Sequence, residues 1–151
     1  MTAQPQGTPV TTKRDDAGSP TARLDVRSPD DVVRVRQEVR SRAVAAGLGI
    51  VDQTKIVTAA SELARNTLDY GGGGTVRIDL VREGGRRGVR ITFEDQGPGI
   101  PDIEQALKDG FTTGSGLGLG LGGAKRLSNE FSIESAPGRG TRIVIARWNR
   151  S

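Results

Sequence analysis

GFTTGSGLGLGLGGAKRL, from Gly110 to Leu127, holds too many glycines to form one regular element along its whole length. Each glycine costs about 0.5–1 kcal/mol relative to alanine inside a helix or strand. A run at 110, 114, 116, 118, 120, 122 and 123 therefore means either disorder or a backbone that must approach something closely. Leu117, Leu119 and Leu121 argue against disorder, because a flexible linker carries polar residues between its glycines. The run passes into the helical Ala124-Lys125-Arg126-Leu127. A glycine-rich segment feeding a helix N-terminus suits an anion, since free N–H groups and the helix dipole both favour one. Nucleotide binding is the first expectation. Gly118, Gly120 and Gly123 spell GxGxxG, but that dinucleotide fingerprint needs a strand just before it, and Lys108-Asp109-Gly110 and Thr112-Thr113-Gly114 stand there instead. No GxxxxGK[ST] occurs, which excludes a P-loop. Taken alone, the run also reads as an ordinary mobile surface loop.

Composition narrows the chemistry further. The 151 residues are the size of one domain, and 34% hydrophobic with 3% aromatic residues means a core of Val, Ile, Leu and Ala. Absence of cysteine removes disulfides, thiol catalysis and thiolate metal sites. Absence of histidine removes imidazole acid–base pairs and zinc triads, so a proton acceptor near neutral pH must be a carboxylate, a lysine or the substrate itself. A net charge of +4 hints at nucleic acid, but the arginines are scattered among acids and one Trp and one Tyr offer few stacking platforms. We expect no direct nucleic-acid contact. No stretch reaches the ~20 apolar residues of a membrane span, and the N-terminus lacks a signal-peptide core, so the expected location is cytoplasmic without membrane contact.

Along the chain, residues 1–20 are rich in Pro, Thr, Gly and charge and read as a disordered tail, leaving 21–151 as the domain. Ala22, Leu24 and Val26 alternate as a short strand. Ser28-Pro29-Asp30-Asp31 opens a helix, with Val32, Val35, Val39, Ala43 and Ala46 as its apolar face and Gly47 as its end. Its other face carries Arg34, Arg36, Arg40 and Arg42, which suit solvent or an acidic partner. A second helix is expected from near Asp52, with Ile56, Ala59, Ala60, Leu63, Thr67 and Leu68 buried and Gly71 to Gly74 stopping it. On it, Glu62 and Asn66 lie one turn apart on one face. Strands Thr75–Val81 and Val89–Glu94 flank a polar turn from Glu83 to Gly88. Asp95-Gln96-Gly97-Pro98-Gly99 then ends the second strand, as a plain turn or as an acid fixed under a ligand. A short helix from Ile103 to Lys108, a helix from about Gly123 to Asn129, and strands Phe131–Ser135 and Thr141–Trp148 complete the chain. The order predicts an α+β fold, with a largely antiparallel sheet and helices on one face.

Three signals occur in order: Glu62-Leu63-Ala64-Arg65-Asn66 on a helix, Asp95-Gln96-Gly97-Pro98-Gly99-Ile100 after a strand, and Gly116-Leu117-Gly118-Leu119-Gly120 before a helix. With Gly140-Thr141 opening a later strand, they resemble the nucleotide-binding boxes of the GHKL superfamily, and within it the anti-sigma regulatory serine/threonine kinases. The resemblance covers about Arg23 to Trp148 and implies a Bergerat-type two-layer α/β sandwich, with a mixed, mostly antiparallel sheet, that binds ATP and Mg2+. It implies Asn66 as the magnesium ligand, Asp95 as acceptor of the adenine amino group, Thr141 as support for that contact, and Gly97 and Gly99 as the room for the base. Gly116, Gly118 and Gly120 fall in the lid over the triphosphate, and Glu62 is the catalytic candidate that takes the acceptor hydroxyl's proton. Lys125 is a candidate phosphate contact, because a cation near a helix start fits the dipole badly unless an anion is bound. Gly122 stands where the resemblance leads to proline, which makes the lid helix less preset. The implied activity is transfer of the γ-phosphate to a STAS-domain antagonist, with a stressosome-type scaffold and a PP2C-type phosphatase as further partners. A nucleotide-gated binding module of the anti-sigma-factor kind is the alternative. A histidine kinase is disfavoured by the absence of a phospho-acceptor histidine.

Overall fold

A computed structural model describes residues 20–108 and 120–149. Nearly all of the expected tail and the glycines at 110, 114, 116 and 118 lie outside the described residues. The elements follow in the expected order. Strand β1 (Thr21–Val26) leads to helix α1 (Pro29–Ala45), helix α2 (Ile50–Asp69) and the hairpin of β2 (Gly74–Glu83) and β3 (Arg86–Asp95). Short helices α3 (Ile103–Ala106) and α4 (Gly120–Arg126) precede the second hairpin, β4 (Glu130–Ser135) and β5 (Thr141–Trp148).

Local chemistry explains the helix ends. Ahead of α1, the Asp31 carboxylate accepts the backbone N–H groups of Arg27 at 2.8 Å and Ser28 at 3.2 Å, filling orphan donors at the helix start. The bond from Arg27 is the main reason that its carboxyl is held below the usual aspartate range. Gly47, at φ 82°, turns the chain out of α1. Helix α2 begins at Ile50 rather than near Asp52, because Gly49 is its N-cap and the Gly49 carbonyl already accepts the Gln53 N–H at 2.8 Å.

The sheet runs β1-β2-β3-β5-β4, and every ladder is antiparallel. Register lines up two apolar rows across it, Leu24-Val76-Phe93-Ile143-Ile133 and Ala22-Ile78-Ile91-Ile145-Phe131. Both rows belong to the core under α1 and α2, which pack on each other and on the strands. The expected helical stripes, Val32 to Ala46 on α1 and Ile56 to Thr67 on α2, are the buried ones. The opposite sheet face carries Arg77, Arg90, Glu94 and Arg142, and there Trp148 lies under the Arg86 guanidinium, 4.0 Å from its ring centre. Gly88 makes that possible, since a Cβ there would stand 2.8 Å from the Trp148 ring.

Further expected boundaries move. The turn from Glu83 to Gly88 contracts to Gly84-Gly85, both at positive φ (58° and 81°), and the ladder continues to Glu83 opposite Arg86. A charged, exposed hairpin end needs no apolar alternation, so its pairing leaves no trace in the pattern. Helix α3 stops at Ala106 instead of Lys108, and α4 spans Gly120–Arg126 instead of running from about Gly123 to Asn129. Arg147 ties these parts together. Its Nε and Nη2 donate to Asp52 Oδ1 at 2.9 and 2.8 Å, and its Nη1 donates to the Leu127 carbonyl at 2.9 Å. One buried guanidinium thus joins β5 to the first turn of α2 and to the residue after α4.

Candidate nucleotide site

Leu63, Asn66 and Thr67 of α2 and its C-cap residue Tyr70 follow the i, i+3, i+4, i+7 spacing and form one wall of a cavity of about 220 Å3. Phe93 and Asp95 of β3 and Thr141 and Ile143 of β5 form the floor, because residues two apart in a strand share a face. Ile100, Ala106 and Leu121 close it from the loop and the two short helices. Most of this lining is apolar, with Asp95, Thr141 and Asn66 among its polar groups.

Asp95 stands where three strands end, paired with Gly74 on one side and Thr141 on the other. Its Oδ1 accepts the Gly97 N–H at 2.9 Å. Burial pushes its carboxyl above the usual range, against the pull of the Gly97 and Thr141 backbone N–H groups. Glycines crowd around it because nothing larger fits. A Cβ on Gly71 would lie 2.4 Å from Asp95 Cγ, and one on Gly140, at φ 77°, would lie 2.1 Å from the Asp95 carbonyl oxygen.

The structure brings Asn66, Asp95, Thr141 and Gly120 to one cavity. Glu62 is buried on α2, one turn before Asn66, and does not line the cavity. Gly97 and Gly99 do not line it either. The place of a Gly97 Cβ is taken by Gly71 backbone, and that of a Gly99 Cβ by the Ala136 carbonyl at 2.1 Å. These two glycines let loops pack behind Asp95.

Lys125 is exposed and sits in the last turn of α4, where the dipole favours a cation. The dipole argument for a bound anion therefore fails, since it placed Lys125 near a helix start. Gly122 lies inside α4, and a Cβ there would meet the Leu107 carbonyl at 2.3 Å. Its glycine is a packing requirement at this point rather than a looser helix start. Gly116 and Gly118 lie outside the described residues.

Sequence reasoning passed over Tyr70, Ile100 and Ser135. Tyr70 lines the cavity, and its hydroxyl donates to the Gly99 carbonyl at 3.4 Å. Ser135, at the end of β4, accepts the Ile100 N–H at 2.7 Å. The alternating pattern of β4 marked Ser135 only as a strand position, so nothing local revealed that contact.

An apolar slot with acceptors at one end suits a flat ring that carries an N–H donor. The Asn66 side-chain carbonyl can serve a hard cation. Among the described residues no group of three or more His, Cys, Asp or Glu could hold a metal by itself. Magnesium fits that donor set, because it characteristically keeps waters and substrate phosphates as most of its ligands. No helix among the described residues is long and apolar enough to cross a membrane.

Comparison with known proteins agrees with this geometry. Residues 51–150 match the family described as histidine kinase-, DNA gyrase B- and HSP90-like ATPase. The serine/threonine-protein kinase RsbT of Bacillus subtilis is 51% identical over 120 residues, covering 80% of this chain and 90% of the relative. The anti-sigma F factor of Bacillus licheniformis is 35% identical over 101 residues, covering 62% of this chain and 68% of that one. The crystal structure of the RsbU and RsbW domains of Rv1364c from Mycobacterium tuberculosis superposes with a TM-score of 0.61 at 23% identity. That match takes in 87% of this chain and about a third, 33%, of the other, and it speaks for the shared α+β fold.

Proposed function

Since the chain belongs to the histidine kinase-, DNA gyrase B- and HSP90-like ATPase family, we propose that it is an ATP-dependent protein serine/threonine kinase of a partner-switching regulatory system. One observation carries the reading. Asp95 and Asn66, from separate elements, line the same apolar cavity, with a hydrogen-bond acceptor for a base and a ligand for a phosphate-bound cation. In this reading Asp95 accepts the adenine amino group beside Thr141, and Asn66 holds Mg2+, which neutralises phosphate charge when bound. Gly116, Gly118 and Gly120 belong to the lid. The acceptor hydroxyl oxygen bonds to the γ-phosphorus as the bond to the bridging oxygen breaks and ADP leaves, and Glu62 takes the hydroxyl proton. In a chain without histidine, a carboxylate one helical turn from the metal ligand is the available base. Glu62 is buried, so the acceptor must enter beside Asn66 to reach it.

The acceptor is a serine or threonine on a STAS-domain antagonist, held in a stressosome-type scaffold in the cytoplasm. Release after phosphorylation leaves the kinase to activate a PP2C-type phosphatase. Likeness to an anti-sigma F factor favours a second reading, in which nucleotide shapes a docking surface and little transfer occurs. Incubation with labelled ATP, Mg2+ and STAS-domain proteins separates the two. Stable phosphoserine or phosphothreonine on a STAS protein, lost in Glu62→Gln with ATP binding retained, supports the kinase; ATP binding without transfer to any of them supports the binding module.

A further inference from the structure

Ser135 was given no role by the sequence, yet its hydroxyl joins three segments at the Asp95 end of the cavity. A serine hydroxyl has one proton and two lone pairs. One lone pair receives the Ile100 N–H at 2.7 Å. The Gly140 carbonyl, which can only accept, takes the proton at 3.0 Å. Thr141 Oγ1, at 2.8 Å, is left to donate into the remaining lone pair. With its only proton spent on Ser135, the hydroxyl of Thr141, a residue of the cavity lining, has only lone pairs left to offer. The Asp95 carboxylate, paired opposite Thr141 and already accepting the Gly97 N–H, is likewise an acceptor.

We propose that Ser135 is a positioning residue that acts through Thr141 to make this end of the site acceptor-only, so that it takes a 6-amino purine and rejects a 6-oxo purine. A carbonyl oxygen placed against two acceptors has no proton to share, and a desolvated polar group without a partner is costly. An amino group serves such a pair. The bond to Ile100, itself in the cavity lining, fixes the wall beside the same corner. This inference rests on the nucleotide reading above and adds to it the source of base discrimination.

The test is direct binding of Mg2+-ATP and Mg2+-ITP, whose base carries an oxygen at position 6, to the full chain and its variants. Wild type is expected to prefer ATP. Ser135→Ala should reduce the ATP-to-ITP affinity ratio about fivefold, the effect of one lost hydrogen bond, and Ser135→Thr, which keeps the hydroxyl, should restore it. In a Thr141→Val background, Ser135→Ala should leave the ratio unchanged, because the path through Thr141 is gone. Ser135→Cys, of similar volume and poor donor strength, reads the same ratio should the alanine variant fold badly. Equal weakening of both nucleotides by Ser135→Ala, or a fall in the ratio that persists without the Thr141 hydroxyl, would overturn the proposal. An unchanged ratio with tight ATP binding overturns the role of Ser135 alone, whereas a wild type that binds neither nucleotide overturns the nucleotide reading with it.

Discussion

The tip of the β2–β3 hairpin and the corner around Asp95 are both built on glycine, for different reasons. At the tip, Gly84 and Gly85 have positive φ, and a Cβ on either would meet nothing within 4 Å. Backbone shape is all that the tip requires. At the corner, the Cβ positions of Gly71, Gly74, Gly97 and Gly140 are occupied by other atoms of the protein, at 2.1–2.8 Å for the nearest. The glycines there admit the convergence of a helix end, three strand ends and a loop on one carboxylate. Glycine content alone does not separate a turn from a site; what fills the space beside the glycine does.

Substitutions can break this contrast, and the largest effect belongs to the corner. Gly140→Ala combines a left-handed backbone with a collision against the Asp95 carbonyl, and is expected to cost about 3–4 kcal/mol in a denaturant unfolding titration and to abolish ATP binding. Wild-type stability in that variant would mean that the corner has room which its packing does not show. Asp95→Asn comes next. It keeps the fold but replaces the acceptor, and ATP affinity should fall roughly 10- to 100-fold by calorimetry.

The same variant has a pH signature. Burial raises the Asp95 pKa above the ordinary 3.8, so the folded chain holds the proton more tightly than the unfolded one. That stabilisation is fully present below pH 3.8 and is lost as pH rises through the folded pKa. Asp95→Asn should therefore gain stability relative to wild type as pH rises through that window. Parallel unfolding curves at every pH would contradict the desolvated carboxylate.

Arg147→Met sharpens the contrast from outside the corner. It removes the tie to Asp52 and to the Leu127 carbonyl, at a cost of about 1–2 kcal/mol once the partial exposure of Asp52 is allowed for. ATP affinity should change little, and a loss as large as that of Asp95→Asn would show the tie to be part of the site. Gly85→Ala at the tip is the smallest, about 1 kcal/mol from the left-handed backbone alone, with ATP binding intact. A cost there equal to that of Gly140→Ala would erase the distinction.

Much of this was legible in the chain. Alternation gave the strands, and the stripe from Val32 to Ala46 gave the face of α1, because burial on one side repeats with the period of the element. Asp95 was readable as a candidate because it ends a strand ahead of glycines, and helical spacing set Asn66 one turn from Glu62, whereas Thr141 came only from the family resemblance. Lys125 shows the limit. Its assignment depended on the start of α4, and glycines at 120, 122 and 123 concealed a short buried helix that packs mainly on α2 and is poor in helix propensity. Ser135 and Arg147 were invisible for a related reason: their partners are Ile100, Gly140, Thr141, Asp52 and Leu127, mostly far away in sequence, and a single polar residue in a strand carries no mark of its distant partner.

The sequence by itself determined the order of the elements, the buried faces and the residue types available for chemistry, since these follow from local periodicity and composition. Tertiary structure alone decided which glycines are compulsory, where α4 begins, and which polar groups meet at the cavity. Those outcomes depend on register and close contact between segments, where a distance of two or three ångströms sets the energy and the chain order says nothing of it.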